Sequence, residues 1–372
     1  MSRIVFITGN ARSLISSRGD IIAELSRRGH EVVGLVPVYG ALPELADLGI
    51  HYELVDLDRP GMNPLRDVRS CWRLAKTFKR LSPDIVFAST IKPVIYGSIA
   101  ARLARVPRIV SMVTGLGYLF TGDSARQRLG RAIASALYRL ALPLNKVVLF
   151  QNPDDLALFR QKGLLGPKQK AAIVHGDGVN LERFQNQPLP SGPVRFLMIA
   201  RLLYDKGIVE FVEAARLVKR EFPQVEFDVV GPHDPHLPRS VTSGELDAWR
   251  SEEHITFHGG VKDVRPYLAS CSVFVLPSYR EGTPCTILEA MASGRPIITT
   301  DVPGCRETVV PEANGLMVPP KDAEALALAM RRFIAEPSLI ASMGMASREI
   351  AEAKYDVAKV NESYIHHLVG AE

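Results

Sequence analysis

Short apolar segments alternate with amphipathic segments along this chain, and the alternation begins twice. The first run opens at Ile4–Thr8 and the second at Val194–Ala200, after the polar, proline-rich stretch Gln185–Pro193. Short apolar runs separated by helical patterns are typical of parallel strands connected by helices that cover both faces of a sheet. The pattern therefore predicts an α/β protein with two Rossmann-like domains that face each other across a cleft.

The same pattern predicts the domain limits. With 372 residues, the chain is too long for one ordinary compact domain and suits two. We expect an N-terminal domain at residues 1–184, a linker at 185–193 and a C-terminal domain at 194–353. Residues 354–372 hold a final helix that we expect to pack back on the N-terminal domain.

The stretch that follows the apolar run Val273–Pro277 has the clearest local pattern in the second domain. A short polar loop leads into a helical pattern at Cys285–Ser293. Thr283 suits the N-cap, Pro284 the first helical position, and Gly294 the residue after the C-cap. We therefore predict a strand, a loop and a helix in direct succession.

Two glutamates lie where such a unit binds ligands. A helix N-terminus offers N–H groups and partial positive charge to a phosphate, and open parallel sheets bind ligands at the carboxyl ends of their strands. Glu281 precedes the helix start, and Glu289 lies about two helical turns further along. One carboxylate could contact a sugar beside the phosphates while the other holds ribose hydroxyls. The spacing alone is equally compatible with a solvated helix glutamate and an acid beside a cap.

A polar loop after the first predicted strand leaves two alternatives open. The first strand-to-helix turn, Thr8–Ser13, lacks the G-x-G-x-x-G pattern and does not predict a dinucleotide site. It fits either a loop that simply turns the chain into a helix at Ile15–Arg28, or acceptor contacts from Asn10 and Arg12. In the second domain, residues 233–252 have a polar pattern that predicts a loop.

The net charge of +5 allows an anionic partner without selecting one. Two segments of the first half are basic and amphipathic, which is typical of helices on an anionic membrane surface and also of solvated basic faces. Their cations are Arg66, Arg69, Arg73, Lys76, Lys79, Arg80, Arg126, Arg128, Arg131 and Arg139. The apolar loop Gly115–Phe120 lies between them. Aromatic residues are sparse and no RNA- or DNA-binding motif occurs, so nucleic acid is not an expected partner.

The cysteine and apolar patterns predict a cytoplasmic protein without a transmembrane helix. The four cysteines are scattered without a C-x-x-C pair, and the apolar run at the N-terminus is too short for a signal peptide. The string Asp56-Leu57-Asp58 matches the metal-binding D-x-D of some sugar transferases, but we interpret it as a chance match. No other cluster has metal-ligand spacing, so no metal is expected.

Several residues of the second half occur together in one family. Arg201, Lys206-Gly207, Glu281 with Glu289 eight positions later, and Gly294-Arg-Pro follow one another in order. In this the chain resembles the retaining glycosyltransferases of family four, which have the GT-B fold.

Further motifs extend the resemblance over the rest of the chain. Gly176-Asp-Gly-Val-Asn180 is similar to a glycine-containing element of the same family. Thr90-Ile-Lys92-Pro93 and Thr114-Gly-Leu-Gly-Tyr118 resemble the bacterial subgroup that acts on polyprenyl-diphosphate-linked sugars, including its N-acetylgalactosaminyltransferases. Many family members carry a histidine in the loop where this chain has Thr114, which leaves a histidine contact to the sugar without a counterpart.

The resemblance implies roles for individual residues. Arg201 and Lys206 would neutralise the donor diphosphate as the leaving group gains charge, and Glu281 would contact the transferred sugar. Gly282 and Thr283 would help hold sugar and phosphate, and Glu289 would bind the nucleotide ribose. The implied catalytic residues are Glu281, Lys206 and Arg201. The implied acceptor-binding residues are Asn10, Arg12, Lys92, Thr114 and Gly115.

The function implied by the resemblance is transfer of a sugar, an N-acetylhexosamine or a hexose, from a UDP-sugar to a polyprenyl-diphosphate-linked saccharide in bacterial surface glycan synthesis. The anomeric configuration would be retained, with neither metal nor cofactor, at the inner face of the cytoplasmic membrane. An alternative is a nucleotide-sugar epimerase of the same architecture, which would need no acceptor. A non-catalytic nucleic-acid-binding protein is a third reading, suggested by the basic charge alone.

Overall fold

The chain is described here from a computed structural model that covers residues 1–38, 43–57, 64–115 and 125–370. It divides into two compact units. The first consists of Met1–Asp177 with Val357–Glu372, and the second of Gly178–Asp356. Each unit is built on its own parallel sheet, so the expectation of two Rossmann-like α/β domains is confirmed.

The first unit contains a seven-stranded sheet with helices between the strands. Its strands are β1 (Arg3–Ile7), β2 (Glu31–Pro37), β3 (His51–Val55), β4 (Ile85–Ser89), β5 (Arg108–Val113), β6 (Val147–Phe150) and β7 (Ala171–Ile173). Its helices include α1 (Ala11–Arg27), α2 (Pro64–Leu81), α3 (Ser98–Leu103), α4 (Ala125–Ala141) and α5 (Pro153–Gln161), with a π-helical turn at Pro93–Gly97 and 3₁₀ turns at Pro43–Leu48 and Leu142–Leu144. The strand order is β3-β2-β1-β4-β5-β6-β7.

The strands of this sheet are covered on both faces, which explains their continuous apolar character. Ile4 and Phe6 of β1 belong to one core cluster, and Val5 and Ile7 to another. In register, Val5 pairs with Val33 on one side and with Val86 on the other. The strand order reverses direction at β1 and β4, where open parallel sheets form their ligand crevice.

The second unit contains a six-stranded sheet of order β10-β9-β8-β11-β12-β13. Its strands are β8 (Arg195–Ile199), β9 (Glu226–Val230), β10 (Thr256–Gly259), β11 (Val273–Leu276), β12 (Ile297–Thr300) and β13 (Gly315–Val318). Its helices are α6 (Ile208–Glu221), α7 (Ser243–Ser251), α8 (Arg265–Ser270), α9 (Cys285–Ala292), α10 (Ala323–Ala335) and α11 (Ser338–Ile350), with 3₁₀ turns at Tyr204–Lys206 and Arg306–Thr308 and a π-helical turn at Ala351–Tyr355. Here the order reverses at β8 and β11.

The polar segment 233–252 contains a helix that the sequence analysis treated as loop. Thr242 caps α7: its hydroxyl accepts from the Glu245 N–H, and the Glu245 side chain accepts from the Thr242 N–H. This reciprocal capping box satisfies two N–H groups at the helix start. The T-x-x-E spacing was therefore the signal for the missed helix.

The predicted linker and the last helix each belong to one of the two units. Residues 185–193, expected as a linker, lie in the second unit, where the Gln187 N–H donates to the Ser293 carbonyl (3.3 Å). The buried Arg295 guanidinium also donates to the Pro188 carbonyl (2.9 Å). The last helix, α12 (Val357–Leu368), belongs to the first unit.

One buried cation connects α12 to the core of the first unit. The Arg18 guanidinium pairs with Asp177 (2.6 Å) and donates to the Tyr364 hydroxyl (2.9 Å). It also lies 5.4 Å from the centroids of the Phe87 and Tyr364 rings. Because a fully buried charge needs a partner, these contacts stabilise the position of α12 on the sheet.

Candidate active site

The strongest grouping of predicted residues lies at the carboxyl ends of β8 and β11, which are neighbours in the second sheet. The Lys206 ammonium pairs with Oε1 of Glu281. The Ser278 hydroxyl lies 2.7 Å from the same carboxylate oxygen. Two loops that are 75 residues apart in sequence are thus joined at one oxygen atom.

Glycine allows the two loops to approach each other. Gly207 has φ +74°, and a Cβ there would clash with the carbonyl of Pro277. The Asp205 carbonyl accepts from the Tyr279 N–H at 2.9 Å. Only glycine tolerates both the left-handed backbone and the close carbonyl at position 207. In the Lys206-Gly207 motif, the glycine therefore has a steric role, whereas the lysine supplies the charge.

A third loop supports Glu281 from the side of β12. The Glu281 N–H donates to the Pro303 carbonyl at 3.0 Å. Gly304 has φ +86°, and a Cβ there would lie 2.5 Å from the Gly282 carbonyl oxygen. The backbone of Glu281 is therefore held between the loops that follow β8 and β12.

Helix α9 begins at Cys285, as the helical pattern predicted, but its N-cap is not the predicted one. The N-cap is Pro284 with extended backbone (φ −74°, ψ 107°), and its carbonyl accepts from the Ile287 N–H at 3.0 Å. Thr283, predicted as the N-cap, instead lies buried before the helix. The helix ends as predicted, since Gly294 has φ +74° and its N–H donates to the Met291 carbonyl, while the next N–H bonds to the Ala290 carbonyl.

Glu289 lies in the second turn of α9 and is half-buried. Removal from water raises the pKa of its carboxyl group to about 7, and the charge of Arg183 only partly opposes this shift. Near neutral pH the group therefore exists in both protonation states. A carboxyl group of this kind can accept hydrogen bonds as the anion and donate one as the acid.

Arg201 is exposed at the start of the loop that leads to Lys206. Gly231 follows β9, and a Cβ there would clash with the carbonyl of Ala200. The loops after β8 and β9 are consequently in close contact next to Arg201. The Arg201 guanidinium lies at the same edge of the sheet as Lys206 and can contribute to binding an anion there.

The predicted acceptor residues follow three neighbouring strands of the first sheet, β1, β4 and β5. The loops after β1 and β4 touch, because a Cβ at Gly9 would lie 2.5 Å from Oγ1 of Thr90. The residues in question are Asn10 and Arg12 after β1, Lys92 after β4, and Thr114 and Gly115 after β5. The sheet thus brings all five to one edge.

Two of these residues have structural partners. The Asn10 side chain accepts from the Ser13 N–H (2.7 Å), which caps α1 and starts this helix four residues earlier than predicted. The Lys92 ammonium pairs with Asp67 at 3.1 Å. Arg12 is exposed, and Thr114 and Gly115 are half-buried.

Sequence reasoning left Thr90 out of the site, although its backbone is unusual. Its φ of +75° is rare for a β-branched residue, and its buried hydroxyl has no hydrogen-bond partner among the described residues. The sequence around Thr90 signals neither property.

Parts of two motifs lie outside the described residues. They are Asp58 of the D-x-D string and residues 116–120 of the apolar loop Gly115–Phe120. Asp56 of the string is described and pairs with Arg73. Within the described ranges, no group of three or more His, Cys, Asp or Glu side chains is arranged to hold a metal ion. Among the helices in those ranges, none has both the length and the apolar character needed to cross a membrane.

Family models match both halves of the chain. Residues 193–336 match the family described as "Glycosyl transferases group 1", and residues 17–177 match the "Glycosyl transferase 4-like domain". The first range contains all strands of the second sheet, and the second range contains strands β2–β7 of the first sheet.

Characterised relatives match most of the chain. It is 30% identical over 338 residues to N,N'-diacetylbacillosaminyl-diphospho-undecaprenol alpha-1,3-N-acetylgalactosaminyltransferase of Campylobacter jejuni, covering 87% of both chains. It is 27% identical to UDP-Gal:alpha-D-GlcNAc-diphosphoundecaprenol alpha-1,3-galactosyltransferase of Escherichia coli, covering 79% of this chain and 77% of the relative.

Solved structures share the fold at lower identity. HepE of Anabaena in complex with UDP-glucose superposes with a TM-score of 0.79 at 20% identity and full coverage of both chains. Sucrose-phosphate synthase of Thermosynechococcus elongatus gives a TM-score of 0.78 at 19% identity, covering 98% of this chain and 97% of the other. These likenesses establish the architecture of two parallel-sheet units.

Proposed function

The chain belongs to the group 1 glycosyltransferase family and has the GT-B fold, and from that premise we propose that it transfers a sugar from a UDP-sugar to a polyprenyl-diphosphate-linked saccharide in bacterial surface glycan synthesis. The resemblance inferred from Arg201, Lys206, Glu281 and Glu289 is confirmed at the level of the family. The donor, the acceptor and the residue roles are parts of the proposal.

The observation that carries the proposal is the Lys206–Glu281 pair at the switch point of the second sheet. A diphosphate bound beside β8 would meet the Lys206 ammonium, while the carboxylate of Glu281 would accept hydrogen bonds from sugar hydroxyls. One loop connection thus supplies a cation for the leaving group and an acceptor for the transferred sugar. Arg201 would supply a second positive charge to the same diphosphate.

The identity of the acceptor is supported by the relatives. Two of them are named for transfer to sugars on undecaprenyl diphosphate, and HepE was solved with UDP-glucose. We assign the acceptor to the first unit because Asn10, Arg12, Lys92, Thr114 and Gly115 converge on one edge of its sheet. N-acetylhexosamine and hexose donors both remain within the proposal.

The proposed transfer needs no reagent other than the donor and the acceptor. The bond between the anomeric carbon and the β-phosphate oxygen of UDP breaks, and a bond from that carbon to the acceptor oxygen forms. The proton of the acceptor hydroxyl passes to the leaving phosphate, and the configuration is retained. Lys206 and Arg201 would stabilise the developing phosphate charge, so no metal ion is needed.

A panel of nucleotide sugars tests the donor. A true donor should raise the unfolding temperature of the full chain by mass action, and a UDP-sugar should do so more than the matching GDP-sugar. The stabilising donor should then react with a synthetic polyprenyl-diphosphate saccharide. Conversion of the UDP-sugar without acceptor would instead support an epimerase, and transfer from no nucleotide sugar would contradict the proposal.

Two measurements on the product test the finer mechanism. The anomeric coupling constant of the purified product, compared with that of the donor, should show retention, and inversion would contradict it. Turnover should persist in excess EDTA, and its loss with recovery on adding a divalent ion would contradict metal independence.

The first unit also has a surface suited to peripheral membrane contact, and we include that contact in the proposal. On α2, Val68 is 69% and Trp72 58% exposed, and the Lys76 ammonium lies 3.6 Å from the Trp72 ring centroid. On α4, Leu129 and Leu140 are exposed beside basic residues. Both helices pack on the π-helical turn Pro93–Gly97, and exposed apolar side chains among cations suit an anionic lipid surface.

Vesicle flotation tests this contact. The chain should float with vesicles containing anionic phospholipid and not with purely zwitterionic vesicles, because the cations need negative headgroups. Trp72→Ala combined with Leu129→Ala should reduce flotation, whereas Leu328→Ala, which removes an exposed side chain of the second unit, should not. Equal flotation of all variants would remove membrane contact, and with it the placement at the inner membrane face, from the proposal.

A further inference from the structure

The 3₁₀ turn Tyr204–Lys206 carries the catalytic cation of the proposed reaction, and it is held from two directions. One side faces the segment between β9 and α7, which sequence analysis left without a role. The other side faces the loop of Glu281. The contacts on both sides are within the second unit.

The segment after β9 holds the turn through its backbone. The Tyr204 N–H donates to the Arg239 carbonyl at 2.8 Å, and the Val241 N–H donates to the Leu202 carbonyl at 3.2 Å. Arg239 has φ +67°, an uncommon backbone conformation for a residue other than glycine. Such a conformation persists only where the surrounding contacts enforce it, and this one lies against the turn.

Side-chain hydrogen bonds also connect the turn to the segment after β9. The Tyr204 hydroxyl donates to Oε2 of Glu245 at 2.6 Å, and Nε of Arg239 donates to Asp205 at 3.1 Å. The Arg239 guanidinium also lies 5.4 Å from the centroid of the Tyr204 ring. The hydrogen bond to Glu245 raises the pKa of Tyr204, and bonds from Thr242 and Tyr204 lower the pKa of Glu245. A charged acceptor of this kind makes a strong hydrogen bond.

Glu245 therefore belongs to two structures at once. Its Oε2 accepts from both the N–H and the hydroxyl of Thr242, which caps α7, and the same oxygen accepts from Tyr204. A helix cap alone would not require the tyrosine. Through Glu245, the position of the turn is thus fixed relative to the start of α7.

On its other side, the turn holds the loop of Glu281 in position through the carbonyl of Asp205. The Asp205 carbonyl accepts from the Tyr279 N–H (2.9 Å) and lies 3.0 Å from the Ser278 hydroxyl, which is in turn 2.7 Å from Glu281. A shift of the turn would move the Asp205 carbonyl and the Lys206 ammonium together. Both atoms determine where the carboxylate of Glu281 lies.

We infer that Tyr204 and Glu245 are positioning residues for the Lys206–Glu281 pair, acting through the backbone of Asp205. This inference rests on the proposed function for its kinetic consequence, but not for its structural one. The hydroxyl of Tyr204 contacts neither Lys206 nor Glu281, and its effect passes through the turn. Residues 239–245, which follow β9 and include the start of α7, thereby help to align the donor phosphate and the donor sugar.

Tyr204→Phe tests the inference with the least disturbance, since it removes one oxygen and keeps the ring under Arg239. We expect kcat to fall about tenfold, because a misplaced cation loses stabilisation that is made only in the transition state, while KM for the donor changes less than threefold. Hydrogen exchange at the Tyr279 amide should become about tenfold faster. Tyr267→Phe on α8 is the matched control and should change neither value.

A double-mutant cycle separates positioning from mere stability. Glu245→Gln keeps an oxygen that can accept from Tyr204 and Thr242, and should lower kcat less than Tyr204→Phe. The double variant should be no worse than Tyr204→Phe, because both changes break one connection. Additive losses, or a lowered unfolding temperature with unchanged kcat per folded molecule, would overturn the inference.

The exchange measurement also distinguishes this inference from the proposed function. If the wild-type chain transfers no sugar, the proposed function fails, and the Tyr279 amide alone decides whether the turn is set by Tyr204. Faster exchange in Tyr204→Phe than in Tyr267→Phe would then support the connection. Equal exchange in both variants would overturn it.

Discussion

The carboxyl edges of the two sheets differ in how their candidate residues are held. In the second unit, Lys206 and Glu281 contact each other, and the glycines at 207 and 304 let their loops interlock. In the first unit the loops after β1 and β4 also touch, but Asn10 caps α1 and Lys92 pairs with Asp67 of α2. The difference is that two candidate side chains contact each other directly at the second edge, whereas at the first edge Asn10 and Lys92 each bind a different partner.

The largest expected effect comes from removing the cation of the interlocked edge. Lys206→Ala should lower kcat by about 10³-fold, or roughly 4 kcal/mol, because a preorganised charge opposite the leaving diphosphate is lost. Circular dichroism and the unfolding midpoint should show an intact fold. Lys219→Ala, at a half-buried lysine on α6 whose ammonium donates to the Pro223 carbonyl, is the control, and equal activity of the two variants would contradict the role of Lys206.

A glycine substitution measures the interlock directly. Gly207→Ala should destabilise the second unit by about 3 kcal/mol, because a left-handed backbone and a clash with the Pro277 carbonyl combine. Gly163→Ala in the first unit has a similar φ of +60° but nothing within 4 Å, so about 1 kcal/mol is expected. Urea unfolding followed by the fluorescence of the buried Trp249 in a Trp72→Phe background for the second unit, and by far-ultraviolet circular dichroism for the whole chain, checks the contrast. Equal shifts from both variants would show that the second edge is not tightly interlocked.

Glu289 gives a pH dependence that belongs to the second unit alone. Its folded pKa of about 7 lies above the ordinary glutamate value of 4.5, so the folded state binds the extra proton between these pH values. Stability should therefore fall as pH rises from about 4.5 to 7, by on the order of 3 kcal/mol. Glu289→Gln should lose this slope, as measured by urea unfolding at several pH values.

The same group should affect donor affinity. If the carboxylate holds the ribose, affinity for a UDP-sugar should rise as pH increases through about 7, since the anion accepts two hydroxyl donors. A UDP-sugar suits the titration because its diphosphate does not change charge in this range. Affinity that is independent of pH in the wild-type chain would count against Glu289 as the ribose ligand.

The smallest effect is expected in the first unit. Asn10→Ala should cost about 1 kcal/mol of stability through loss of the α1 cap, and Asn10→Ser should recover most of it. If Asn10 also contacts the acceptor, KM for the lipid-linked saccharide should rise several-fold in both variants. An unchanged KM in Asn10→Ser would leave Asn10 with the cap alone.

Much of the fold was predictable because it follows from local patterns. The apolar runs predicted the two parallel sheets, and Gly294 predicted the end of α9, where its φ is +74°. The predictions were wrong where a cap decided the helix start. Asn10 begins α1 four residues early, Pro284 replaces Thr283 as the N-cap of α9, and Thr242 begins a helix in a segment expected to be loop.

The candidate site was predictable only as a set of residues, not as a geometry. Spacing selected Lys206, Glu281 and Glu289, but it did not show which would touch. Tyr204 and Glu245 escaped notice because their hydrogen bond spans 41 residues and neither carries a motif of the family. Thr90 belongs to the motif Thr90-Ile-Lys92-Pro93, and nothing in this motif indicates its left-handed backbone.

By itself, the sequence determined the α/β class, the two units, the family and the residue types available to hold a nucleotide sugar, since each depends on periodicity or order along the chain. The tertiary structure decided that Lys206 shares an oxygen of Glu281 with Ser278 and that the pKa of Glu289 is raised. The physical reason is that β8 and β11 are neighbours only through the order of the sheet. Contacts and desolvation at such an edge arise from strands and loops that are far apart in sequence.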